Sequence, residues 1–266
     1  MKLWGRARNR ASGTENEADV GGADVSGGGR GRRRFFSAAI LVVTLTIVTK
    51  PGRKAARSVA RWLDARVDDW SEPGSQTYSR IISPVLGRLY RGVAKDVVAE
   101  LAARGRTRKA TILDLGCGPG DLALELAHRL RDARVVGLDL SPSMMQLASR
   151  HATTDGRLRF IVGKAEALPM ADESVDLVVS TLSLHHFAAP GAAFAEISRV
   201  LRPGGVALIY DIGLLGLEPS EMATIARDAG LEPEDLRRER VRGSFGARLL
   251  VRFRLEGREI ADEPED

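Results

Sequence analysis

Cysteine is nearly missing from this sequence: Cys117 is the only one in 266 residues. A lone thiol excludes an intramolecular disulfide and a cysteine-rich zinc site, and it fits a reducing compartment. No metal is expected. Aromatic residues make up only 5% of the chain, and no basic stretch is interleaved with them. The excess of 40 Lys and Arg over 35 Asp and Glu therefore does not read as a nucleic-acid-binding surface. A membrane-length apolar run is missing too. The run at 35–49, "FFSAAILVVTLTIVT", carries no charge. As a helix it would reach about 22 Å at ~1.5 Å per residue, whereas a bilayer core needs about 30 Å, or ~20 residues.

What remains is a globular balance, 44% hydrophobic and 28% charged, enough for a sizeable core. Residues 1–34 are rich in Gly, Ser and charge and read as a disordered basic tail. The run at 35–49 lies between "RGRRR" and "KPGRK", and eight Lys or Arg precede it. Basic flanks favour the cytoplasmic side of a membrane, so the reading is shallow, peripheral contact rather than a full span. The competing reading is an extension without function. Residues 50–77 hold an amphipathic helix, with Val59, Trp62, Leu63, Val67 and Trp70 at helical spacing, and then the linker "SEPGSQ". A second helical pattern covers 78–105 and is expected to break at Pro84 and Gly87. Residues 256–266 are an acidic tail.

From residue 111 the pattern changes. Short apolar runs at 111–115, 134–140, 158–163, 174–182 and 205–212 alternate with helical patterns. Ser141 and Pro142 mark one helix start, and "RPGG" at 202–205 is expected to close the helix before the fifth run. Strands alternating with helices imply an α/β fold with a doubly wound parallel sheet. A last helix, ended by Gly230, precedes "LRRERVR" and "ARLLVRFRLE", which read as two strands joined at "GSFG".

In such a sheet ligands sit beyond the carboxyl ends of the strands. The first exit loop is Gly116-Cys117-Gly118-Pro119-Gly120. Its three glycines permit positive φ and a close backbone approach to a ligand, at a conformational cost of about 0.5–1 kcal/mol each, so a mere tight turn explains them poorly. Asp139 ends the second strand 23 residues after Gly116. An acid there can accept from ribose hydroxyls, and it also suits the start of the helix that follows. The loop is G-x-G-x-G rather than the dinucleotide G-x-G-x-x-G, and Asp114 stands two residues before it. That carboxylate would repel a diphosphate and attract a cationic group, which argues against an NAD-dependent oxidoreductase. A ligand with a ribose at one end and an amino acid at the other meets both acids: S-adenosylmethionine.

The segments "ILDLGCGPGDLALELA", "VVGLDLSPSMMQLA", "FIVGKAEALPMADESVDLVVSTLSLHHF" and "EISRVLRPGGVALIYD" resemble successive motifs of class I S-adenosylmethionine-dependent methyltransferases. The subgroup is methyltransferase type 11, similar to ubiquinone/menaquinone-biosynthesis enzymes, and the resemblance covers about 78–255. It implies a Rossmann-like sheet of seven strands in the order 3-2-1-4-5-7-6, the last strands forming an antiparallel hairpin. It also implies roles by position. Asp114, Gly116, Gly118 and Gly120 would hold the methionine moiety, with Cys117 in the same loop. Asp139 would take the ribose, and Leu140 and Met144 would pack near the adenine. Where the family often carries an acid to meet the adenine amino group, this chain has Lys164, so Ala165 and Glu166 are expected to take over. Thr181 sits where the fourth strand opens over the methyl group.

His185 and His186 follow that strand. Either could act as a general base, or one could simply pack against the fold. Methyl transfer from a sulfonium needs mainly alignment and a dry site. Enzymes of this fold that methylate amino groups of nucleic acids or glutamine carry (N/D)-P-P-(Y/F) after the fourth strand; here Ser180-Thr181-Leu182-Ser183 stands there. The expected acceptor is therefore a small molecule, apolar and quinone- or lipid-like if 35–49 is a tether, with Tyr78, Ile81, Ile82 and Tyr90 as lid candidates. Since the cofactor is cytosolic, the domain is expected in the cytoplasm. The rival class is a non-catalytic scaffold that binds the cofactor.

Overall fold

The computed structural model describes residues 75–76, 79–80, 83–212, 219–239 and 250–257. The tail 1–34, the apolar run 35–49, the helix pattern at 55–70, the "GSFG" turn, and Tyr78, Ile81 and Ile82 lie outside the described residues. Seven strands form one sheet: β1 Thr111–Leu115, β2 Arg134–Asp139, β3 Leu158–Val162, β4 Val175–Thr181, β5 Leu201–Ile212, β6 Glu232–Glu239 and β7 Leu250–Glu256. Their order is β3-β2-β1-β4-β5-β7-β6, as the resemblance implied. The first five are parallel, and β7 runs antiparallel to both β5 and β6.

Alternation along each strand sorts side chains to two faces. Ile112, Val135, Leu177, Val179 and Leu208 pack under the helices α1 (Ser83–Ala103) and α2 (Asp121–Arg129). Leu113, Leu115, Val136, Val178 and Ile209 pack under α4 (Pro190–Val200) and α5 (Pro219–Asp228). The short α3 (Pro142–Ala148) begins as its sequence implied, with Ser141 Oγ accepting from the Met144 N–H at 3.2 Å and Pro142 in the first turn. Period two therefore puts Asp114 on the α1/α2 side, at the carboxyl end of the sheet.

Three local expectations need correction. Pro84 and Gly87 do not break the second helical pattern: α1 runs through both. Pro84 falls in the first turn, where a missing N–H costs nothing. The buried stripe Val93, Ala94, Val97 and Leu101 outweighs one helical glycine. Nor does "RPGG" terminate a helix. Already at Leu201 the chain pairs with Val175, and Gly204, at φ +65°, lies in the irregular stretch before regular pairing resumes at Val206. The hairpin starts earlier than its apolar pattern: β6 includes Pro233, tolerated because this is the sheet edge with a register shift beside it.

The β1–α2 loop uses its glycines for different reasons. All three have positive φ: +71° at Gly116, +52° at Gly118 and +88° at Gly120. A Cβ on Gly116 would fall 2.3 Å from Ser183 Oγ. One on Gly120 would meet the Phe160 ring at 2.8 Å. Around Gly118 there is nothing within 4 Å. Gly120→Ala should therefore cost about 2–4 kcal/mol, combining left-handed backbone with overpacking. Urea unfolding checks this, and shortening Phe160 to Leu should recover part of the loss. Wild-type stability in the single variant would contradict the packing account.

Candidate functional site

The carboxyl ends of β1, β2 and β4, with the segment after β3, surround a cavity of about 620 Å³. The β1–α2 loop forms its floor. Gly116 and Cys117 donate their backbone N–H groups to Leu138 O at 2.8 and 3.1 Å, which ties the loop to β2. Cys117 packs with Met144, Met145, Ala148 and Phe160, and burial holds its thiol well above the ordinary range. It also lines the cavity, where a thiol so held keeps its proton and is a packing neighbour rather than a nucleophile.

Two carboxylates stand at the centre. Asp114 is 1% exposed, and its Oδ2 has no hydrogen-bond partner. Burial pushes its carboxyl up to about 8, and the charge of Asp139 adds to the shift; the Ala123 amide opposes it. Asp139 is also raised by burial, against the amides that bond it. Its Oδ2 accepts the Gly118 N–H and its Oδ1 the Ser141 N–H, both at 2.9 Å. Each oxygen still has a second lone pair for a hydroxyl donor. At the end of β4, which neighbours β1, Thr181 Oγ1 is buried and unpartnered. Buried polar atoms are nearly always satisfied, so two orphans in one cavity wall mark where a ligand's polar groups belong.

The other expected residues divide cleanly. Leu140, 63% exposed, and the buried Met144 both line the cavity. Lys164, Ala165 and Glu166 also line it; Glu166 accepts the Ala189 N–H at 3.1 Å, and Lys164 pairs its backbone with Ala167. Tyr90 reaches the cavity from α1. His186 lines the wall. Gly120 and His185 are not among the lining residues. His185 is packed inside, its Nδ1 2.6 Å from Asp211 Oδ1.

Sequence reasoning overlooked Asp211, although an acid inside the apolar strand "ALIYDI" is a visible signal. It overlooked Leu182 and Phe187 as well, both in the cavity wall. Leu182 holds φ +59°, a left-handed backbone at the end of β4 that no residue type foretells.

This wall fits a nucleoside bearing a cationic amino acid: an unpaired acid for the ammonium, a bonded acid with free lone pairs for the ribose, and an exposed leucine for the base. Residues 113–209 match the family described as Methyltransferase domain. A demethylmenaquinone methyltransferase from Thermus thermophilus is 36% identical over 140 residues, covering 52% of this chain and 61% of the relative. A malonyl-[acyl-carrier protein] O-methyltransferase from Hahella chejuensis is 39% identical over 118 residues, 44% of this chain and 42% of the relative. The chain thus spans less than two thirds of these curated relatives. Among solved structures, a Methanococcus maripaludis chain described as a candidate S-adenosyl-L-methionine-dependent methyltransferase superposes with a TM-score of 0.58 at 18% identity, over 74% of this chain and 97% of that one. The [4+2]-cyclase SpnF superposes at 0.54 and 19% identity, over 64% and 82%. Both likenesses concern the fold.

The high value of Asp114 has a stability consequence in the free protein. Its folded carboxyl titrates near 8, against an ordinary 3.8. Between those values the folded chain holds a proton that the unfolded chain has released, so Asp114 makes stability fall as pH rises through that window. Asp114→Asn removes this contribution. Thermal melts from pH 4 to 9 should show a flatter decline for the variant. Parallel declines would contradict the assignment.

Proposed function

The chain belongs to the class I S-adenosylmethionine-dependent methyltransferases, of the type similar to ubiquinone/menaquinone-biosynthesis enzymes, and from that membership we propose that it methylates a small apolar acceptor. The observation that carries the reading is the pair Asp114 and Asp139 around the glycine loop. Asp114 takes the ammonium of the cofactor's amino-acid end, a partner that the buried carboxylate lacks. Asp139 takes the ribose hydroxyls, already oriented by the Gly118 and Ser141 amides. Gly118 leaves its side of the cavity open. Leu140, Met144 and Ala165 offer apolar surface to the adenine, with the backbone near Ala165 and the carboxylate of Glu166 standing in for the absent acid at Lys164. The cofactor supplies an electrophilic methyl group on a sulfonium. The chain's task is to fix its direction and to keep water away.

For the acceptor, the remaining wall is informative. Tyr90, Leu122, Leu182 and Phe187 line the cavity beside His186. They favour an apolar ring or chain over a charged group. The Thermus relative, named for a demethylated quinone, supports a quinone-like acceptor, with a lipid-like one as the alternative. Residues 78–255 form the catalytic unit in this reading. The run 35–49 acts as a peripheral tether that brings the unit to an acceptor dissolved in membrane; among the described residues no helix is long and apolar enough to cross one.

Incubating the full chain with methyl-labelled S-adenosylmethionine and extracted metabolites should place label in an apolar small molecule. Asp139→Ala should weaken cofactor binding by about 1.5–3 kcal/mol. Firm cofactor binding with no labelled product across a broad extract would favour a non-catalytic scaffold. For the tether, the full chain should sediment with anionic vesicles at low salt, and a chain starting near residue 53 should not. A full chain that stays in the supernatant would reduce 35–49 to an extension.

A further inference from the structure

His185 and His186 are adjacent in sequence, but they face different surroundings. Both belong to the 3-10 turn Leu184–His186 that follows β4. His186 reaches the cavity wall, while the His185 side chain is only 5% exposed. Behind the turn, near the end of β5, lies Asp211, with its side chain 3% exposed. Both of its oxygens are used on this turn. Oδ1 lies 2.6 Å from His185 Nδ1, and Oδ2 accepts the His185 backbone N–H at 3.0 Å. Oδ1 also accepts the Ile212 N–H at 2.7 Å.

A ring nitrogen that close to a carboxylate carries the proton. His185 is therefore held as the Nδ1–H form, with its ring plane set by Asp211. The His185 and His186 rings are in contact, their centroids 4.0 Å apart and their planes inclined by 50°. A second tie fixes the same turn: His186 donates its backbone N–H to Ser183 O at 3.0 Å. Ser183 in turn donates its hydroxyl to Leu115 O, at the start of the glycine loop, at 3.0 Å. The contact chain Asp211–His185–His186 thus runs from the interior of β5 to the cavity.

We propose that Asp211 is a positioning residue: acting through the His185 ring, it sets the orientation of the His186 imidazole at the acceptor end of the cavity. Asp211 lies outside the cavity lining, so it touches neither cofactor nor acceptor and works only through His185. An imidazole beside a reacting group is useful only if its nitrogen is aimed, because a misplacement of about 1 Å can cost ~100-fold in rate. A carboxylate behind a first imidazole, with a second imidazole tilted against that one, provides aim without exposing a charge to an apolar ligand. The inference rests on the methyltransferase reading only for the identity of the cavity's ligand.

The test is nitrogen-15 histidine NMR on the full chain, free and with S-adenosylhomocysteine. In the wild type the His185 signals should report the Nδ1–H form in both states. Asp211→Asn should lose that signature and shift the His186 ring signals, while S-adenosylhomocysteine affinity stays within about threefold, because the cofactor wall is untouched. His185→Gln keeps an amide donor for Asp211 but removes the ring from behind His186. It should shift His186 as well, and it carries the test if Asp211→Asn fails to fold. His186 signals unmoved in a folded variant would overturn the proposal and leave Asp211 a clamp on the turn. A wild type that ignores S-adenosylhomocysteine would instead sink the functional reading, while the measurement on the free protein would still decide the role of Asp211.

Discussion

Asp114 is buried at the end of β1 with one carboxylate oxygen unsatisfied, and Asp139 stands at the end of the neighbouring strand. Two acids in a poorly hydrated wall cannot both ionise cheaply, so the free protein keeps Asp114 protonated to about pH 8. A cationic ligand group removes that conflict. The parallel register Asp114↔Gly137 holds the two strand ends at a fixed offset, and the glycine loop runs between them, tied to Leu138 O. The sheet order thus sets the distance between the proposed ammonium and ribose sites before any ligand arrives. The strand ends place the two acids, and the loop amides of Gly118 and Ser141 orient Asp139.

The rest of the cavity divides by strand. In the proposed reading β2 and the segment after β3 provide the base end, with the exposed Leu140 in its lining. In the same reading β4 and its turn provide the reacting end, with Leu182, Phe187 and His186 lining the cavity together with Tyr90 from α1. The family match, 113–209, contains the first group and most of the second but leaves out α1. Such folds carry many reactions, and the SpnF superposition illustrates that one sheet serves a cyclase as well. Acceptor choice is therefore expected to lie with Tyr90 and the β4 turn rather than with the motif residues.

Much of this was legible beforehand because the informative residues are local. Five apolar runs, a loop with three glycines, and two strand-end acids are patterns that sit within a few positions of one another. The resemblance then supplied the strand order. The errors came where a distant partner decides. At Gly120 it is Phe160, forty residues on, that excludes a side chain. Gly87 looks like a break until the buried stripe of α1 is taken into account. "RPGG" looks like a stop signal, yet Leu201 finds Val175. The pair His185 and His186 offers no sequence cue to which one faces inward; Asp211, on the adjacent strand, makes that choice.

The central claim is that Asp114 and Asp139 receive the two ends of one cofactor. A crystal structure of the chain with S-adenosylhomocysteine measures this directly. The account predicts the ligand's amino group within hydrogen-bond distance of Asp114 and its ribose hydroxyls on Asp139, with the adenine against Leu140. A ligand bound with Asp114 still unpaired, or with the ribose away from Asp139, would contradict it.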